Sequence, residues 1–165
     1  MSQHNSALLN TDQLAGLTGA RVAVVYTEWN ESIISGLRSG ADRVLQQYGA
    51  KTLSEVAVPG AFELPFACKA LWQSFEGTEH KPEAIIAFGA VIRGGTPHFE
   101  YVSQAVTDGI LKLNLTLPVP VIFGVLTLDN MEQAHERLGG IHGHKGEEAA
   151  LTALKMIQVC RSLSA

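Results

Sequence analysis

Apolar residues along this chain follow two alternating rhythms. The short, nearly continuous run Ala84–Ile92 reads as a buried strand, and Arg21–Thr27, 52–58 and 119–126 read as further strands. Between them, apolar residues recur at spacings of three and four, the signature of one helix face. Ile33, Ile34, Leu37, Ala41, Val44, Leu45 and Tyr48 form the first such stripe, with Asn30 placed to cap it. After the Pro59-Gly60 turn, Pro65 opens a second helix carrying Ala67, Ala70, Leu71 and Phe75 inward. Phe99, Val102, Val106, Ile110 and Leu113 stripe a third, for which Thr96 suits the N-cap, Pro97 the first helical position and His98 the first turn. A helix over about 131–138, a glycine-rich loop and a helix over about 147–161 complete the chain. Strand–helix alternation of this kind predicts a four-stranded parallel sheet with helices on both faces, joined by right-handed crossovers. The expected fold is therefore a three-layer α/β sandwich, doubly wound and flavodoxin-like. Residues 1–19 read as a flexible N-terminal tail and 20–165 as a single domain.

Composition narrows the function. With 165 residues, 46% of them hydrophobic and 17% charged, the chain can bury a real core. A net charge of −4 and a pI near 5.8 exclude a nucleic-acid surface, which needs clustered Lys and Arg. No run approaches the roughly 20 apolar residues of a membrane span, and the polar start Ser2-Gln-His-Asn-Ser6 lacks a signal-peptide core. Cys68 and Cys160 sit in helical stretches without partners at metal spacing, so reduced thiols in a cytoplasmic protein are expected.

In a parallel sheet, all the strand C-termini emerge on one rim, where ligands gather. Here they deliver Glu28-Trp29-Asn30, Pro59-Gly-Ala-Phe-Glu63, Arg93 to His98 and Thr127-Leu-Asp-Asn130. Trp29 suits stacking on a flat heterocycle, and Glu63 suits accepting hydrogen bonds from hydroxyls. Gly94-Gly95 before a helix N-terminus favours a phosphate, and His98 stands beside it. Taken singly, the same residues read as a packing tryptophan, a helix-dipole carboxylate, a tight connection and a surface histidine. Their shared rim favours a site. His135, His142 and His144 do not read as a metal cluster, because two neutral loop imidazoles are more often solvated, while Glu148 and Arg161 read as facing solvent or another subunit.

The motifs Pro59-Gly-Ala-Phe-Glu-Leu-Pro65, Gly89 to Val102, Pro120-Val-Ile-Phe-Gly-Val-Leu-Thr127 and Glu132-Gln-Ala-His-Glu-Arg-Leu-Gly139 together resemble the 6,7-dimethyl-8-ribityllumazine synthase family of riboflavin biosynthesis. The resemblance runs from Arg21 to the C-terminus. It implies condensation of 5-amino-6-(D-ribitylamino)uracil with 3,4-dihydroxy-2-butanone 4-phosphate, releasing phosphate and water, with no metal and no cofactor. Carried over by position, Trp29 is the aromatic against the pyrimidine, Ala61, Phe62 and Glu63 hold the ribityl chain, and Ala90, Val91 and Ile92 read the pyrimidine edge. Gly95 and Thr96 are the phosphate turn, His98 the proton-transfer residue and Arg137 the phosphate clamp. Phe123 is a ring contact from a neighbouring subunit, and Lys145 a lysine close to the ligand. The resemblance further implies a homopentamer, a shell of roughly 60 subunits built from pentamers as a larger form, a tail that adds a strand to a neighbour, and riboflavin synthase as a candidate partner.

The loop 139–146 departs from the commoner family form, which has Lys near Ile141 and Asn at His144. Three other readings are weighed: a flavin- or lumazine-binding module without turnover, a flavodoxin-like carrier and a mainly structural shell protein. The first would lose His98 or Arg137, and both are present. The second expects a Ser/Thr/Gly-rich phosphate loop after the first strand, where Glu28-Trp29-Asn30 stands instead.

Overall fold

The computed structural model describes Leu14 and residues 16–164. β1 (Arg21–Thr27), β2 (Lys51–Val58), β3 (Ala84–Ile92) and β4 (Val121–Leu128) pair in parallel in the order β2-β1-β3-β4. The two central strands come from the two most continuous apolar runs, because only a strand covered on both faces needs apolar side chains on both. Alternation then divides the core. Val22, Val24, Ala84, Ile86 and Phe88 face one side, with α1 (Glu31–Gln47) and α5 (Lys145–Leu163). Ala23, Val25, Ile85 and Ala87 face the other, with α2 (Leu64–Ser74) and α3 (His98–Thr116). The expected three-layer α/β sandwich is what the chain forms.

The helix stripes bury as their spacing requires. Ile33, Ile34, Leu37, Ala41, Val44 and Leu45 are buried on α1, and Val106, Ile110 and Leu113 on α3. Phe99 and Val102 stay half-buried because they lie in the first turns of α3, at the rim rather than under the sheet. β4 begins two residues later than the apolar run, since Pro120 has no N–H to donate and contributes only its carbonyl, which accepts the Ile85 N–H at 2.9 Å.

The largest difference from the sequence reading lies between α4 (Met131–Glu136) and α5. In place of two further residues of helix and a plain loop, the chain makes a small antiparallel hairpin, β5 (Leu138–Gly140) and β6 (Gly143–His144). This hairpin is set into α1. A Cβ on Gly40 would stand 2.1 Å from His144 Cε1, and one on Gly146 only 2.0 Å from the Leu37 carbonyl oxygen. Both positions therefore require glycine for close approach. The seat fixes Arg137 just before the hairpin and Lys145 just after it.

Leu17, 2% exposed, belongs to the core. Most of the expected tail, and with it the strand that tail was to add to a neighbour, lies outside the described residues. Arg161, expected to face solvent or another subunit, is exposed, and it also donates from Nε to Glu83 Oε1 at 2.9 Å and from a terminal nitrogen to the Gly16 carbonyl at 2.9 Å. It ties the C-terminal helix to the start of the domain. Among the described residues, no helix is long and apolar enough to cross a membrane.

Candidate active site

The loops after β1 and β2 continue the ladder beyond the strands. Glu28 N–H donates to the Val58 carbonyl at 2.8 Å and Trp29 N–H to that of Pro59 at 3.3 Å. The chain then turns sharply at Asn30, whose φ of 61° and ψ of 45° lie in the left-handed region. Asparagine tolerates that conformation better than most residues. Asn30 does precede α1, yet its side chain does not cap the helix. Its Nδ2 crosses instead to the Ala90 carbonyl at 3.0 Å, binding the β1 loop to the end of β3. Trp29 is left 72% exposed at the rim.

A cleft of about 630 Å³ opens here, within the usual size for a small-molecule site. Trp29, Ala61, Phe62 and Glu63 line it together with Ala90, Val91, Ile92 and His98. Eight of the residues singled out from sequence therefore share one cavity, with Asn30, Pro59, Gly60 and Val102 as further walls. Phe62 is 62% exposed, so two large aromatic faces stand open around this cleft. Glu63 ends a single 3-10 turn, Ala61–Glu63, and its Oε2 accepts the Gly60 N–H at 3.1 Å. That bond fixes the carboxylate and uses one of its oxygens.

At the β3–α3 junction, the helix starts at His98 and Pro97 occupies the cap position, with no side chain capping it. Thr96, the expected N-cap, thus sits one residue before the cap. The reason is local: Pro97 has a ψ of 2°, short of a helical value. Gly94 and Gly95 have open space where a Cβ would point, and neither has a positive φ. Their role is access to backbone rather than an unusual conformation. Gly95, Thr96 and His98 are all exposed.

The other expected residues lie elsewhere in the chain. Phe123 and Lys145 line a second cavity of about 420 Å³ against β4 and α5. Phe123 is 44% exposed. Lys145 Nζ donates to both oxygens of Glu148, at 2.8 and 2.7 Å, so Glu148, half-buried in the wall of this cavity, is engaged by the lysine. Arg137 ends α4, donating to the Gln133 carbonyl at 2.9 Å and lying 3.6 Å from Glu136. It lines neither cavity. Among the described residues, no three His, Cys, Asp or Glu side chains group as metal ligands. His142 stands 3.7 Å from Glu136, while His144 Nδ1 is buried without a partner against α1. Both cysteines are free, and burial pushes the Cys68 thiol up to about 12, which leaves it inert.

The family model described as 6,7-dimethyl-8-ribityllumazine synthase matches residues 19–161. The chain belongs to this family. A 6,7-dimethyl-8-ribityllumazine synthase of Porphyromonas gingivalis is 47% identical over 138 residues, 82% of this chain and 83% of the relative. One of Parabacteroides distasonis is 46% identical over the same shares. One of Leifsonia xyli subsp. xyli is 47% identical over 148 residues, 88% of this chain and 89% of the relative. Two of the four lumazine synthase motifs, 59–65 and 89–102, contribute residues to the cleft, whereas those at 120–127 and 132–139 lie outside it. Sequence reasoning missed the Asn30 bridge and the Lys145–Glu148 pair. A non-glycine residue suited to the left-handed region, placed between a strand and a helix, was the available signal for the first.

Proposed function

We propose that this protein condenses 5-amino-6-(D-ribitylamino)uracil with 3,4-dihydroxy-2-butanone 4-phosphate to 6,7-dimethyl-8-ribityllumazine, releasing phosphate and water. The observation that carries this reading is the convergence of Trp29, Glu63, the 90–92 backbone and His98 on one cleft, in a chain whose relatives bear that enzyme's name. Trp29 stacks on the pyrimidine, the edge of which pairs with the backbone of Ala90, Val91 and Ile92. The ribityl chain runs along Ala61 and Phe62 to Glu63. Gly95 and Thr96 receive the phosphate at the uncapped start of α3, where free N–H groups and the helix dipole favour an anion.

Holding both substrates this way turns a bimolecular step into an effectively intramolecular one. The 5-amino group of the pyrimidine attacks the ketone carbonyl and water leaves to give an imine; phosphate is then eliminated to leave an enol, which tautomerises to a ketone, and the ribitylamino nitrogen attacks that carbonyl and closes the ring with loss of a second water. His98 moves protons in these steps. Phe123, Lys145 and Arg137 come from the adjacent protomer of a homopentamer, with Phe123 covering the ring and Arg137 clamping the phosphate. Larger shells of pentamers use the same contact. The two free cysteines support a cytoplasmic setting, where a riboflavin synthase consumes the product.

The test mixes purified protein with both substrates and follows lumazine absorbance and fluorescence. Product formation with stoichiometric phosphate release is expected. Tight binding of product without turnover would replace this reading with that of a carrier module.

A further inference from the structure

We propose that Arg93 is a positioning residue for the phosphate turn: it holds the turn's first residue against the carboxylates of Asp129 and Glu100 and, through Asp129, joins the turn to the segment bearing Arg137. The proposal rests on the lumazine synthase reading of that turn.

Arg93 is the first residue after β3 and Asp129 the first after β4, so adjacent parallel strands deliver both to one rim. Arg93 N–H donates to the Leu128 carbonyl at 2.8 Å, and Nε donates to Asp129 Oδ1 at 2.8 Å. A terminal nitrogen donates to Glu100 in the first turn of α3, and the guanidinium lies 4.1 Å from the centre of the Phe99 ring. One planar fork therefore ties the start of residues 93–97 to the end of β4 and to the first turn of α3. Asp129 carries the contact onward. Its N–H donates to Gln133 Oε1 at 2.9 Å, and the Gln133 carbonyl accepts from Arg137 at 2.9 Å.

Stability does not account for this network. The Arg93 side chain is 44% exposed, and exposed ion pairs add little to folding free energy. The bonds do bias protonation, with Glu100 and Asp129 held below the usual carboxylate range mainly by Arg93, and Arg93 raised mainly by Glu100. Electrostatics alone would make the site poor for an anion, because two carboxylates face one guanidinium. That imbalance makes the positioning role separable from a charge effect. Removing the Asp129 charge should improve phosphate binding if charge alone matters, and impair it if the carboxylate is an anchor.

The experiment uses the assembled full chain. Binding of inorganic phosphate is measured by calorimetry, and the KM of each substrate is measured separately. Arg93→Met is expected to raise both the phosphate Kd and the KM of the phosphate-bearing ketone about tenfold, with the pyrimidine KM held within about twofold. Asp129→Asn is expected to weaken phosphate binding about threefold despite losing a negative charge, and Arg93→Lys to fall between wild type and Arg93→Met. If Arg93→Met does not fold, the other two variants decide. Unchanged or tighter phosphate binding in Asp129→Asn, or an unchanged Kd in both Arg93 variants, overturns the proposal. Arg43→Met, which removes an exposed cation of α1 paired with Glu147 of α5, should bind phosphate like wild type; a matching loss there would mean a long-range charge effect and also overturn it. A wild-type chain that makes no lumazine sinks the functional reading itself, whereas an active wild type with unaltered variants sinks only the role of Arg93.

Discussion

The cleft at the ends of β1, β2 and β3 and the region built by β4, α4, the hairpin and α5 differ in one decisive respect. The first gathers its residues within a single chain, around two open aromatic faces, a fixed carboxylate and an imidazole. The second holds an exposed phenylalanine and two cations, each already beside a carboxylate of its own, and shares no cavity with His98. On the proposed function, these are two part-sites of one active site. The difference teaches that, if Phe123, Lys145 and Arg137 act as proposed, they must come from a second copy whose β4–α5 region meets this cleft.

The comparison breaks most easily at His98. His98→Ala should lower kcat by about 10² to 10⁴ while leaving detectable turnover, because positioning supplies the remainder. Initial rates at saturating substrates measure this, and a loss of less than about tenfold would remove His98 from proton transfer. Arg137→Ala acts on the other region. It should raise the KM of the phosphate-bearing substrate by roughly 10- to 100-fold, the scale of hydrogen bonds to a charged group, and leave the pyrimidine KM unchanged. An unaltered value for the phosphate substrate would withdraw the clamp.

Gly40→Ala sharpens the contrast without touching a ligand residue. The added methyl overlaps His144, so the hairpin must shift; overpacking of this kind costs about 1–3 kcal/mol. Thermal unfolding should fall by a few degrees, and the KM of the phosphate substrate should rise while that for the pyrimidine stays put. Equal changes in both would mean that the two regions are not separately supported. The smallest expected effect is of pH. His144 is held below its ordinary pKa, first by burial and then by Arg43 against the opposing pull of Glu147 and Glu148. A histidine kept neutral in the native state contributes stability that is full above about 6.5 and declines as pH falls below it. Wild-type Tm should therefore drop more between pH 7.5 and pH 5.5 than that of His144→Asn. A parallel decline would show that the burial of His144 is not what responds.

Legibility followed from where each feature's cause lies. Arg21–Thr27 and Ala84–Ile92 were readable to the residue because central parallel strands must be apolar on both faces. The cleft was readable because strand C-termini of a parallel sheet share a rim. The hairpin was not, since its existence depends on the fit of His144 over Gly40, a contact between residues far apart in the chain that no local pattern announces. Asn30 illustrates a subtler loss: the capping rule found its place, but the Ala90 carbonyl outcompeted the helix end for its amide. Thr96 and Pro97 were displaced by one position for a similarly local reason, the backbone angle at Pro97.

The most direct test of a site shared between chains is subunit mixing. His98→Ala and Arg137→Ala proteins, each crippled in a different region, are dissociated together in equal amounts and reassembled. If the cleft of one protomer works with the Arg137 of the next, half of the clefts are intact and half of their neighbours supply the arginine. Assayed with the phosphate-bearing substrate well below the KM of the Arg137→Ala protein, activity should then recover to roughly one quarter of wild type in a cyclic assembly. Activity no greater than the mean of the two separate variants would contradict the account.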